Sequence, residues 1–127
     1  MRLIQLNNKE SLFIEGIKAF NSRCYYDAHE YWEELWSDYY LEDANFIQGL
    51  IQLSVGYFHI TNHNINGAVG LLTKSIKKLH PFSPKCRGID IDHLINHATL
   101  SLQNLSEIES TSNFNWSFSP TIRYINE

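Results

Sequence analysis

Two stretches of this chain concentrate the side chains able to do chemistry. In Tyr25-Tyr26-Asp27-Ala28-His29-Glu30-Tyr31-Trp32-Glu33-Glu34-Leu35-Trp36, a histidine and three glutamates share about three helical turns with two tryptophans. In Gln48-Gly49-Leu50-Ile51-Gln52-Leu53-Ser54-Val55-Gly56-Tyr57-Phe58-His59, the polar groups fall on one stripe of an otherwise apolar segment. Read as helices, the first stretch puts His29 and Glu33 one turn apart at the margin of an apolar face, with Glu30 and Glu34 turned to the other side. The second puts Gln48, Gln52 and His59 in one narrow sector with Val55. If the two helices pack antiparallel, His29, Glu33, Gln48, Gln52 and His59 meet as a polar constellation between them, and Tyr25 stands beside it.

Three chemistries suit that set. Two imidazoles and a carboxylate (His29, Glu33, His59) are the minimal donors for a divalent metal such as zinc or iron with a position left for water. The order here is HExxE, without the second histidine at i+4 that gives HExxH its specificity. The same three residues could instead serve acid–base catalysis, His29 assisted by Glu33, on a ligand contacted by Tyr25, Gln48 and Gln52. The third reading is structural: a closed hydrogen-bond network that fixes the register of two helices, with every buried donor and acceptor satisfied. Nothing in the spacing selects a substrate.

Composition narrows the field. The 127 residues are 43% hydrophobic and 19% charged, as expected of one globular domain with its own core. A net charge of -4 gives no drive toward nucleic acid or an anionic membrane, because counterion release needs a cationic surface. Cys24 and Cys86 have neither zinc-site nor redox-motif spacing, which suits free thiols in a reducing compartment. No apolar run reaches the ~20 residues that span a bilayer, and Met1-Arg2-Leu3-Ile4-Gln5-Leu6-Asn7-Asn8 lacks a signal-peptide core. The expected location is the cytoplasm, or the plastid stroma if the abundance of Asn, Ile, Lys and Tyr reflects an AT-rich organellar genome.

The elements that must position these residues are helical throughout. Phe13, Ile17 and Phe20 mark a short helix over Leu12–Phe20, and Asp27 is placed to cap a second helix running to about Tyr39, with Ala28, Trp32, Leu35, Trp36 and Tyr39 on its apolar face. Phe46 to Ile60 is apolar nearly all round, the mark of a central helix, with Gly49 and Gly56 on one side to admit a close neighbour. A fourth helix carries Ile65, Ala68, Leu72, Ile76 and Leu79 and stops before Pro81 and Pro84. Lys74, Lys77 and Lys78 sit near its end, where cations suit the dipole; with Lys85 and Arg87 they form the basic cluster of the chain, whose other reading is phosphate binding. Asp90 is placed to cap a fifth helix through Leu105. From about residue 109 the tail, with Phe114, Trp116 and Phe118, is too aromatic to be left unattached. No strand is expected.

Phe20-Asn21, Tyr25-Tyr26-Asp27-Ala28-His29-Glu30, Glu33-Glu34-Leu35-Trp36, Gln48-Gly49-Leu50-Ile51-Gln52, Tyr57-Phe58-His59 and Asn66-Gly67-Ala68 with Leu71-Leu72 together resemble the domain of unknown function 309 family. The resemblance covers about Leu12 to Leu79 and implies an all-helical bundle of bacteria, archaea and plastids with no established biochemical role. The expectation is therefore an all-α single-domain bundle spanning 1–127, with about five mostly antiparallel helices over about 11–108 and an extended tail over 109–127 packed on it. Its expected role is that of a binding or scaffolding module for a protein partner or a second copy of itself. A metal-dependent or acid–base enzyme of hydrolase type is the alternative.

Overall fold

A computed structural model describes residues 2–125, with side chains from Asn8 onward. Five helices account for most of it: α1 (Arg2–Asn21), α2 (Tyr25–Asp38), α3 (Ala44–Thr61), α4 (Ile65–Leu79) and α5 (Ile91–Ser106). Neighbours in sequence pack as neighbours in space, and the short connections between α1 and α4 make these pairs antiparallel. α3 is the central rod. From Phe46 to Ile60 no side chain is fully exposed, and Phe46, Ile47, Leu50, Leu53 and Tyr57 are sealed from solvent. Gly49 and Gly56 face α4 as expected: a Cβ at either would come within 2.7 Å of Leu79 or Leu72. A buried bond from the Ser75 hydroxyl to the Gly49 carbonyl (2.9 Å) fastens the same seam.

The α1–α2 and α3–α4 hairpins turn through the same device. Arg23 and His63 take a left-handed backbone (φ 62° and 60°), and the amide that follows each donates to a carbonyl five residues back: Cys24 to Ala19 (2.8 Å) and Asn64 to His59 (2.9 Å). This is the bonding that closes a helix at a left-handed residue. It moves one expected feature. α2 begins at Tyr25, directly after that closure, so Cys24 holds the cap position and Asp27 sits in the first turn, where its charge suits the helix dipole but caps nothing. α1 begins ten residues before the expected start, because Asn7-Asn8-Lys9-Glu10 interrupts the apolar spacing without breaking the helix.

Two short strands add a detail the pattern did not announce. β1 (Lys85–Cys86) and β2 (Ile89–Asp90) pair through a turn at Arg87 and Gly88, both at positive φ, and Ile89 bridges to Tyr124 of the tail. Asp90 then caps α5, accepting from the His93 amide at 3.0 Å, as its position predicts. Arg87 leaves the basic cluster to clamp Asp43 from two nitrogens (2.7 and 2.9 Å) and to lie over the Phe13 ring. That guanidinium, hydrogen-bonded to Asp43, holds the carboxyl below the usual carboxylate range. The tail packs as expected, burying Phe114 and Ile122, and the Asn21 amide both donates to and accepts from the Ile122 backbone (2.9 and 2.7 Å).

Candidate functional site

The flank of α2 that meets α3 carries Tyr26, His29, Glu33 and Trp36, three or four residues apart and so on one side of the helix. His29 Nε2 lies 3.6 Å from a Glu33 carboxylate oxygen, with His29 a quarter exposed and Glu33 half exposed. His29 Nδ1 is buried and meets no protein partner. The Tyr26 ring lies 5.4 Å from both the His29 and the Phe58 rings, and Phe58 lies 6.3 Å from His59. Together with Val55 these four rings line a recess of about 140 Å³. On the far side His59 Nδ1 reaches Asn64, the cap of α4, at 3.4 Å.

Gln52 belongs to a different opening. It lines a cleft of about 500 Å³ with Asn45, Lys74, Lys77, Lys78, Pro81 and Phe82, and its Oε1 is buried without a hydrogen-bond partner. Gln52, Val55 and His59 share one side of α3, so recess and cleft open on the same face, one turn apart. Gln48 is half-buried on that stripe. Tyr25 stands apart, in the aromatic core, 5.5 Å from Tyr57 and stacked on Trp116. Burial raises the pKa of its phenol, against a smaller lowering from Ser119 and Arg23.

The constellation is thus divided. His29 and His59 line the recess with Glu33 beside His29, Gln52 lines the cleft and Tyr25 lies in the core. The closed network does not form among the described residues, since His29 and Gln52 each keep an unpaired buried atom. For a metal, His29 and Glu33 are the adjacent donors, and His59 lines the recess with His29 only. Among the described residues no three His, Cys, Asp or Glu side chains converge to hold an ion.

Several residues escaped sequence reading. Tyr26 and Phe58, which line the recess, lay within the quoted motifs, but neither was read as a site residue. His93 and His97, i and i+4 on α5, have rings 4.4 Å apart, with His97 Nδ1 3.1 Å from the Phe118 carbonyl. Their HxxxH spacing was the available signal. Burial, followed by Arg123 and His97, lowers the His93 pKa, with Asp90 opposing.

A five-helix bundle with a half-buried imidazole recess on its central helix defines a small all-α protein. Residues 13–71 match the family described as a domain of unknown function (DUF309), and the chain resembles that family over this span. The match includes all of α2 and α3, and so the whole recess, and ends before Lys74. No curated protein matches the chain. Among the described residues no helix is long and apolar enough to cross a membrane.

Proposed function

We propose that the protein is a binding or scaffolding module that takes an apolar side chain of a partner into the recess between α2 and α3. The observation that carries this reading is exposed aromatic surface on the recess and along the same flank of α2: Tyr26, which lines the recess, is 50% exposed, and Trp36, farther along the flank that carries His29 and Glu33, is 40% exposed. Exposed aromatics around a small concave site are the usual anchors of recognition, since they bury much area at little entropic cost. The lining, Tyr26, His29, Val55, Phe58 and His59, suits an apolar side chain. A photo-crosslinking residue at Tyr26 or Trp36 should give a discrete product in extracts of the source cell, whereas the same residue at Tyr124, exposed on another surface, should not. Identical products from all three positions would refute it.

Acid–base chemistry is the second reading, favoured by the Glu33 carboxylate beside His29 Nε2. Turnover of activated acetyl or phosphoryl esters that disappears in His29→Gln and survives in His97→Gln would turn the assignment from module to enzyme.

A further inference from the structure

We propose that the cleft between the start of α3 and the end of α4 binds a small organic phosphate, with Lys74, Lys77 and Lys78 taking the phosphate and Pro81 and Phe82 its apolar body. The cleft holds about 500 Å³, large enough for a small ligand, and these residues line it with Asn45 and Gln52. In a chain of net charge -4, three cations on one wall run against the prevailing sign. Among the described residues none of the three ammonium groups has a hydrogen-bond or ion-pair partner, although acidic groups outnumber basic ones in the chain.

Helix-end electrostatics do not exhaust these charges. The C-terminus of α4 presents about half a negative charge, and three lysines exceed it severalfold. Lys74 also stands a turn before the terminus. From the other side α3 contributes its first turn, where Asn45 lines the cleft and the Asp43 side chain, held by Arg87, leaves the helix uncapped. The sum suits a dianionic phosphate better than a single carboxylate.

The walls are fixed in place. Phe82 rests on Phe46 (5.5 Å between rings), the Lys78 stem lies against Gly49, and Ser75 ties α4 to α3 beneath them. An aromatic wall beside cations selects a phosphate ester with a planar or apolar body over the bare ion. Gln52 lines the cleft between these walls, and its amide carries the N–H donors that a phosphate oxygen accepts.

This inference stands apart from the recess on α2 and is tested separately. Titrating the full chain with phenyl phosphate at low salt, followed by amide NMR, should give saturable shifts at Ala44, Asn45, Lys74, Lys77, Lys78 and the Gln52 side chain. Because Lys74 and Lys77 are exposed, Lys74→Gln with Lys77→Gln should fold normally and weaken binding at least tenfold, while Lys9→Gln and Tyr26→Ala leave it unchanged. Inorganic phosphate should bind the same residues more weakly, and benzoate more weakly still. The proposal is overturned by shifts that never saturate, by equal affinity in the double variant, by benzoate matching phenyl phosphate, or by phenyl phosphate binding no tighter than inorganic phosphate.

Discussion

Gly16 and Trp32 show how little slack single residues have. A Cβ on Gly16 would collide with the Trp32 indole, whose Nε1–H donates to the Phe13 carbonyl at 3.2 Å. Gly16→Ala should therefore cost about 1–3 kcal/mol through overpacking, read as a lowered Tm. Gly70→Ala is the matched control: nothing stands within 4 Å of the new methyl, so helix propensity should stabilise the chain by up to about 1 kcal/mol. His93 gives the pH counterpart. Its pKa in the fold lies below the unfolded value, mainly from burial, so folding favours the neutral ring. The stability it contributes is in place above about pH 6.5 and lost as pH falls through the folded value. Melts between about pH 7.5 and about pH 5.5 should show a fall in Tm that His93→Gln flattens; parallel slopes would contradict this.

For the helices, residue pattern carried most of the information. The apolar circumference of α3 forecast a central rod, the Gly49 and Gly56 spacing forecast a close neighbour without saying which, and Asp90 forecast a cap, because each depends on local chemistry. The errors arose where closure depends on backbone bonds that no side-chain pattern records. The left-handed turn at Arg23 starts α2 before Asp27, and the β1–β2 pairing needs only the geometry of Arg87 and Gly88. Site residues were legible as a helix face but not as a pocket: periodicity put Gln52 and His59 together, and only tertiary packing decided that lysines surround one and aromatic rings the other. Asn64 tests how an element's start governs that packing. It caps α4 by accepting from the Gly67 amide (2.9 Å) and also touches His59. Asn64→Ala should lower stability by about 1 kcal/mol and shift the His59 ring resonances, whereas a cap with no bearing on the recess would move stability alone.

Across the whole molecule the tail and the β1–β2 turn close the bundle. Asn21 joins the end of α1 to Ile122, about a hundred residues away in sequence, and Arg123 pairs with Asp90 at the start of α5 (3.0 Å). Deleting residues after 108 would strip Phe114 and Ile122 from the core and remove Trp116 from Tyr25, so the truncated chain should lose its cooperative melt. Asn21→Ala should cost about 1–3 kcal/mol, because it leaves the Ile122 backbone groups unpaired. An unchanged Tm in that variant would show that the tail is held without Asn21, by its apolar burial and its other polar ties.

The stacking of Trp116 on Tyr25, with Phe114 edge-on and the Arg23 guanidinium 5.2 Å above, has an optical corollary. The indole lies where tyrosine excitation can be passed to it and where a nearby cation tunes its emission. With the exposed Trp36 changed to Phe, the change in ultraviolet emission over the background of the buried Trp32 becomes a label-free gauge of whether the last part of the polypeptide is docked, readable in the same cuvette as any titration.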